Sequence, residues 1–352
     1  MPHEAQRYVA EIVAGIEEAA YGEFDRRLGA TAQLQYAVPS PTGPTEVQFT
    51  YTGDLAILAR LGTVSAVSLV HRVPVPRPRA LLSNDHFRAL LLAVERVRRL
   101  APAGAFRTLH LSAAGAGSSV LVRLTEELAA ATGLEIAPDE GDLHLRLRRP
   151  LEGAEGWDML LRLTPRPLAT RPWRVANLPG ALNATVAHAM ALLTTPREDD
   201  IYANLGCGSG TLLIERCAAG PAARVFGCDT DSAALDAARA NVAASHHAAR
   251  VSLHNWDARA LPLADASVSA LTADLPFGVQ MGSHAANRTL YPALLAEAAR
   301  VARTGAHFAL LTSEVKMMEA TLAAEPRWTT TETHRVGLNG LYPQLFVLRR
   351  AR

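Results

Sequence analysis

The chain has 352 residues, of which 49% are hydrophobic and 20% are charged, and its formal net charge is only +1. This balance excludes a disordered chain, and the length predicts two or three compact units. No apolar stretch reaches the roughly 20 residues of a membrane span, the N-terminus has no signal or transit pattern, and three cysteines fit neither a disulfide framework nor a zinc site. We therefore expect a cytoplasmic protein that needs neither a membrane nor a metal. We also expect a monomer, although none of these features determines the oligomeric state.

The first 74 residues predict a small domain of mixed helices and strands. Strands are expected at Tyr8–Val13, Ala32–Val38, Val47–Tyr51 and Val64–Val73. Between them lie a helix with apolar residues at helical spacing and a short helix that Asp54 caps. The resulting order, β-α-β-β-α-β, is typical of a ferredoxin-like domain.

The stretch up to residue 168 predicts a second α+β region with a basic sheet face. A long helix begins near Asn84, with Phe87, Leu91, Val94 and Val97 on its apolar face. Further on, three leucines alternate with His144, Arg146 and Arg148, as in a strand with one apolar and one basic face. Such a face is either solvated or placed against a phosphate backbone, and the sequence leaves both interpretations open.

From Asp199 onward, apolar strands alternate with glycine turns and helices, which indicates an α/β domain with a parallel, Rossmann-like sheet. Its strands are expected near Ile201–Asn204, Arg224–Asp229, Val251–Asn255, Val268–Asp274 and His307–Thr312. Two later stretches, Thr329–Val336 and Pro343–Arg349, predict an antiparallel hairpin that closes the sheet.

A glycine-rich turn follows the first of these strands and opens a helix. Glycines there allow the backbone to approach a ligand closely, while the helix amides point towards it. Acidic residues follow the next two strands, where Asp229 can bind a ribose diol and Asp257 an adenine amine. The alternative for Asp257 is an N-cap of the segment that follows it. A dinucleotide dehydrogenase would use a similar turn. The residues expected to hold the cofactor are Asn204, Gly206, Cys207, Gly208, Ser209, Gly210, Thr211, Asp229, Thr230, Trp256, Asp257 and Ala258.

The end of the fourth strand distinguishes a dinucleotide dehydrogenase from an enzyme that modifies a base. Asp274 and Leu275 are followed by Pro276 and Phe277, a combination suited to a flat base that carries an amine. An exocyclic amine is a poor nucleophile because its lone pair is delocalised, so the site must hold its hydrogens. The Asp274 carboxylate and the Leu275 carbonyl can accept them, Pro276 fixes the turn, and Phe277 can stack on the base. The alternative is an ordinary turn with a buried phenylalanine.

This region resembles the THUMP-domain tRNA guanine-N2 methyltransferases, which belong to the NPPY-type branch of the class I methyltransferases. The resemblance rests mainly on Asp274–Gly278 and the residues that follow it. Leu168–Arg174 is similar to the family's junction between its THUMP and catalytic domains, and Arg335–Leu348 to its closing hairpin. Two positions depart from the pattern. Asn204 stands where many relatives carry an acid, and Leu275 replaces the first proline of the motif.

The resemblance implies three domains: a ferredoxin-like domain at residues 1–74, a THUMP RNA-binding domain at 75–168 and a methyltransferase domain at 169–352. It implies S-adenosyl-L-methionine as the cofactor and tRNA as the partner, with methylation of a guanosine in or near the acceptor stem. The residues expected to contact RNA are Arg146, Arg148, Arg171 and Arg174.

Two alternatives stay open. The same site would serve an rRNA guanine-N2 or an adenine-N6 methyltransferase, because the turn that holds the base does not specify which base it is. The other alternative is a catalytically decayed tRNA-binding protein, which Asn204 suggests.

Overall fold

The computed structural model of the protein describes residues 5–40, 43–275, 284–338 and 340–351. The chain divides into two compact units. The first holds most of the chain up to Leu168, and the second holds the chain from Ala169 together with Val13–Gly22. The finer division at residue 74 stays a prediction. Within the described ranges, no helix is both long and apolar enough to cross a bilayer.

The strands of the first 168 residues form one continuous sheet. They are β1 (Gln6–Ile12), β2 (Ala32–Val38), β3 (Thr45–Tyr51), β4 (Val64–Val73), β5 (Thr108–Ala113), β6 (Glu135–Ile136), β7 (Leu143–Arg148) and β8 (Trp157–Arg162). The order across the sheet is β2-β3-β1-β4-β8-β7-β5-β6, with β4 antiparallel to β8. The helices of this part are α1 (Glu17–Leu28), α2 (Leu55–Leu58), α3 (Asn84–Arg98) and α4 (Ser119–Thr132).

The second unit contains a sheet in which only the last strand along the chain runs antiparallel to the others among the described residues. Its strands are β9 (Ile201–Leu205), β10 (Arg224–Cys228), β11 (Val251–His254), β12 (Val268–Asp274), β13 (Ala302–Thr312), β14 (Trp328–Arg335) and β15 (Gln344–Arg350). The order is β11-β10-β9-β12-β13-β15-β14. Its helices are α5 (Ala184–Leu193), α6 (Thr211–Ala219), α7 (Ser232–Ala244), α8 (His284–Val301) and α9 (Val315–Ala323).

This order places the carboxyl ends of β9, β10, β11 and β12 at one edge of the sheet, because parallel strands end on the same side. Strands β10 and β11 lie on one side of β9, and the later strands lie on its other side. Ligands bind α/β sheets in the crevice beside such a change in strand order. The antiparallel pairing of β15 with β13 and β14 closes the other side of the sheet as predicted.

The core beside β13 shows how the second sheet is held. Phe308 and Trp328 are buried, and their ring centroids lie 5.5 Å apart. The Trp328 indole N–H donates a hydrogen bond to the Leu295 carbonyl of α8 at 3.1 Å. A buried tryptophan needs such a partner for its one polar atom, so this contact fixes the helix against the hairpin.

Candidate active site

A cavity of about 290 Å³ opens at the carboxyl ends of the parallel strands in the second unit. It is lined by the ends of four strands, by residues 178–182, which come before α5, and by Leu290 and Leu294 of α8. The sequence-predicted site residues that line it are Gly206, Cys207, Gly208, Ser209, Thr211, Asp229, Thr230, Trp256, Asp257, Ala258, Asp274 and Leu275. All the predicted cofactor residues except Asn204 and Gly210 therefore surround the same space as the predicted catalytic carboxylate.

The glycine turn adopts a backbone shape that other residues rarely allow. Gly206, Gly208 and Gly210 have φ angles of +66°, +50° and +81°. An added Cβ at Gly206 or Gly208 would meet nothing within 4 Å, so these two glycines leave open space. Gly210 does not line the cavity: it packs against Ala238 of α7, 3.3 Å from where its own Cβ would be.

Asp229 links this turn to the next strand. Its Oδ2 accepts a hydrogen bond from the Gly208 amide at 2.8 Å, and its Oδ1 accepts one from the Asp231 amide at 3.0 Å. A carboxylate has about four acceptor positions, so lone pairs remain for a ligand hydroxyl. Asp229 can therefore make the predicted contact with a ribose diol. It also holds the glycine turn in place through the Gly208 amide.

The third strand end presents an aromatic surface. The Trp256 ring stacks on His254, with centroids 3.9 Å apart, and meets Phe226 edge-on at 6.2 Å. Asp257 is already engaged with Arg259, whose guanidinium nitrogens lie 2.6 and 3.0 Å from its oxygens. Hydrogen bonds from Arg259 hold the pKa of Asp257 below its usual range. A contact between Asp257 and an adenine amine would share the carboxylate with this arginine.

Asp274 is the last residue of β12 and faces the cavity. The residue as a whole is partly exposed, but its Oδ1 is shut off from solvent and has no hydrogen-bond partner among the described residues. Burial raises the pKa of Asp274 to about 7. The next residue is fixed, because the Leu275 amide donates to the Leu311 carbonyl at 3.0 Å. The predicted roles of Pro276 and Phe277 fall outside the described residues.

Asn204, the predicted departure from the acidic pattern, lies beneath the turn rather than in the cavity wall. Its side chain is buried, and its amide nitrogen donates to the Thr272 carbonyl of β12 at 3.1 Å. This bond crosses between neighbouring strands and uses the N–H that an aspartate would lack. The asparagine side chain therefore links β9 to β12 at this position.

The arginines of β7 are neutralised within their own sheet. Arg146 lies 3.0 Å from a Glu46 oxygen of β3, and Arg148 pairs with the other oxygen of the same carboxylate. The Arg146 side chain is 44% exposed and the Arg148 side chain 12%. The predicted basic face is thus an ion-paired face, which differs from the expectation. Contact of these residues with RNA stays a prediction.

Arg171 is also committed to a partner inside the protein. Its guanidinium lies 2.7 Å from Glu215, whose other oxygen is 2.8 Å from His188 Nδ1. Burial alone would raise the pKa of Glu215, but His188 and Arg171 hold it below its usual range. In this structure Arg171 anchors the start of the second unit to α6, and an RNA contact would have to compete with a buried ion pair.

Two residues near the cavity have roles that sequence reasoning missed. Arg174, predicted to contact RNA, donates to the Leu182 carbonyl at 2.8 Å and to the Thr211 hydroxyl at 3.2 Å. Asn241 of α7 is fully buried and donates to the Ser209 carbonyl at 3.0 Å. An asparagine in an alanine-rich helix was the available signal, since a polar residue there needs a reason.

Residues 171–344 match the UPF0020 family model, described as an RMKL-like methyltransferase domain. We refer to this matched stretch as the RMKL-like domain. The RMKL-like domain covers the cavity, the glycine turn and the strand ends described above. This match confirms the methyltransferase resemblance that the sequence motifs predicted.

Curated relatives of the RMKL-like domain are guanine-N2 methyltransferases. A Bos taurus protein named tRNA (guanine(6)-N(2))-methyltransferase THUMP3 is 31% identical over 185 residues, which are 49% of this chain and 37% of that protein. A Methanocaldococcus jannaschii tRNA (guanine(6)-N2)-methyltransferase is 23% identical over 218 residues, 51% of this chain and 57% of that protein. The chain thus matches well under two thirds of the length of these relatives.

The crystal structure of TrmN from Thermus thermophilus has the same fold. It superposes with a TM-score of 0.69 at 24% identity and covers 98% of this chain and 99% of its own. The predicted fold, a Rossmann-like methyltransferase sheet with a C-terminal antiparallel hairpin after α+β elements, is confirmed.

Proposed function

We propose that this protein is a tRNA guanine-N2 methyltransferase that moves a methyl group from S-adenosyl-L-methionine to the exocyclic amine of a guanosine. The observation that carries this proposal is the Asp274 Oδ1 atom: it is shut off from solvent, without a partner in the described chain, and at the edge of the cavity that the glycine turn lines. A buried acceptor without a partner is costly unless a ligand supplies the hydrogen.

The cavity residues fit the cofactor. The open space at Gly206 and Gly208 admits a ligand close to the backbone, and the free lone pairs of Asp229 suit a ribose diol. Trp256 offers an aromatic wall for an adenine ring. Bound S-adenosyl-L-methionine would supply a methyl group on a positively charged sulfur, an activated donor that needs no protein nucleophile.

The cysteines support direct transfer. Cys207 and Cys228 are buried, and burial raises the pKa of both thiols, so they stay protonated near neutral pH. A protonated, enclosed thiol is a poor nucleophile. The protein's part in the reaction is therefore to bind and orient, with Asp274 as the acceptor of the amine hydrogens.

The choice of guanosine and of tRNA is supported by the names of the curated relatives, two of which are given above. The finer parts of the proposal are a target in or near the acceptor stem and a cytoplasmic, monomeric enzyme. Guanine presents its exocyclic amine beside a ring N–H, so a carboxylate can accept hydrogens from both.

The proposal is tested by nucleoside mass spectrometry of unmodified tRNA before and after incubation with the protein and methyl-labelled cofactor. We expect label in N2-methylguanosine. Label in N6-methyladenosine, or in rRNA but not tRNA, would contradict the proposed substrate. Calorimetric titration of the protein with the cofactor, without RNA, tests the alternative of a catalytically decayed protein. A protein that binds tRNA but does not bind the cofactor would be such a decayed enzyme.

A further inference from the structure

Asn241 uses its entire hydrogen-bonding capacity in the interior of the second unit. Its Oδ1 accepts from the amides of Val175 and Ala176 at 2.9 and 2.8 Å. Its Nδ2 donates to the carbonyls of Ala176 and Ser209 at 2.9 and 3.0 Å. An asparagine side chain offers two acceptor positions and two donors, so all four are satisfied.

These four bonds join two parts of the chain that border the cofactor cavity. Ser209 belongs to the glycine turn and lines the cavity, and residues 175–176 lead directly into the lining stretch 178–182. On the other side of this stretch, Arg174 binds the Leu182 carbonyl and the Thr211 hydroxyl. The stretch is thus held at both ends by side chains that also contact the turn or the helix beginning after it.

Apart from the buried Leu182 side chain, the stretch has little else to fix it among the described residues. Val175 is 65% exposed, and Pro179 and Gly180 are exposed as well. The backbone hydrogen bonds of this part are local, such as Val175 to Trp173 and Ala181 to Leu178. A wall with local bonds alone would sample several positions, and ordering it would cost free energy when the cofactor binds.

Helix propensity does not explain the residue type at position 241, because asparagine is a weak helix former and its neighbours in α7 are mostly alanines. Leucine would fill the same space but would take this partner away from the backbone groups of Val175, Ala176 and Ser209. Aspartate would keep the acceptor but could not donate to Ser209. A buried polar side chain with complete bonding specifies one arrangement of the groups around it.

We infer that Asn241 is a positioning residue, which locks residues 175–182 against the glycine turn and so preforms the wall of the cofactor cavity. The inference rests on the proposed function, because it takes the cavity to hold S-adenosyl-L-methionine. Its loss weakens cofactor binding, since the wall must then be ordered on binding, and leaves the transfer step nearly intact once the site is filled.

Two variants divide the contacts of Asn241. Asn241→Asp keeps the acceptor for the Val175 and Ala176 amides and loses both donors, including the one to Ser209. Asn241→Leu loses all four bonds. Val242→Ala is the matched control, because Val242 is the next residue of α7, is also buried, and does not line the cavity.

The measurement is the cofactor dissociation constant by calorimetry, together with kcat at saturating cofactor and with amide hydrogen exchange. We expect both Asn241 variants to weaken cofactor binding by roughly tenfold or more, with kcat within about threefold of the unmodified protein. Val242→Ala should bind the cofactor normally. Protection of the Val175 and Ala176 amides should fall in Asn241→Leu more than in Asn241→Asp.

Cofactor affinity within about twofold of the unmodified protein in folded Asn241 variants would overturn the inference, and so would an equal loss in Val242→Ala. If neither Asn241 variant folds, Arg174→Gln tests the same wall from its other end. It should weaken cofactor binding in the same range, and unchanged binding would count against the inference. Absence of cofactor binding in the unmodified protein overturns the proposed function instead, and the role of Asn241 with it.

Discussion

The Gly208 amide donates a hydrogen bond of 2.8 Å to the Asp229 carboxylate. The bond joins the turn after β9 to the end of β10, two neighbouring strands of the parallel sheet. The same carboxylate accepts from the Asp231 amide, so one side chain orders two turns of the cavity wall. The site is thereby organised before a ligand arrives.

Asp229→Ala should weaken cofactor binding by roughly tenfold to a hundredfold, because it removes two hydrogen bonds to a charged acceptor and the proposed ribose contact. Calorimetric titration measures the loss. Asp236→Ala is the control, since Asp236 lies on the exposed side of α7 and pairs with Arg239. Equal affinity in Asp229→Ala and the unmodified protein would show that this carboxylate does not serve the ligand.

Asp274→Asn should stabilise the protein above neutral pH. The pKa of Asp274 is raised from 3.8 to about 7, so the folded state retains a proton that the unfolded state has lost. The buried carboxyl therefore does not lower the free energy of unfolding below about pH 4. As the pH rises from there to about 7, it lowers this free energy progressively. The gain in Tm of the variant should be larger near pH 8 than near pH 5. The same gain at both pH values would contradict the raised pKa.

Glu215→Gln should destabilise the protein by about 3–5 kcal/mol, because it removes a buried carboxylate charge from beside the partly buried Arg171 guanidinium. The pKa of Glu215 is held low, so its contribution is present above about pH 5 and is lost as the pH falls through the folded-state pKa. Urea unfolding measures the change. Arg239→Ala, which breaks an exposed pair, should cost less than about 1 kcal/mol. Similar costs for both variants would mean that Arg171 is not held by a buried ion pair.

Asn204→Asp, which introduces the acid that the family resemblance predicts at this position, should lower stability by about 1–3 kcal/mol near neutral pH, since it removes the donor to the Thr272 carbonyl. A protonated carboxyl could donate again, so the loss should shrink as the pH falls. Urea unfolding near pH 5 and pH 8 provides the comparison. A variant more stable than the unmodified protein near pH 8 would contradict this role for Asn204.

The sequence predicted the second sheet well because its signals are local. Apolar runs followed by glycine turns placed β9 and β12 to within a residue, whereas β13 begins at Ala302, earlier than the predicted His307. In α3 the predicted stripe of Phe87 and Leu91 is half-buried, and the structure buries Leu90 completely. A small rotation of the buried face is beyond what spacing can specify.

The contacts that the sequence did not predict are long-range ones. Arg146 and Arg148 alternate as in a basic strand, but their partner Glu46 lies about a hundred positions away. Asn241 is a single polar residue in an alanine-rich helix, and its four bonds depend on loops at residues 175–176 and 209. No periodicity in one element reveals such a partner.

Single-turnover methyl transfer to tRNA by Asp274→Ala, with the cofactor site saturated, tests the proposed chemistry most directly. We expect a rate at least roughly a hundredfold below that of the unmodified protein, with cofactor and tRNA affinities within about threefold, because Asp274 acts on the amine and not on binding. A rate within about threefold of the unmodified protein would contradict the role of Asp274 and leave the proposed chemistry without its acceptor.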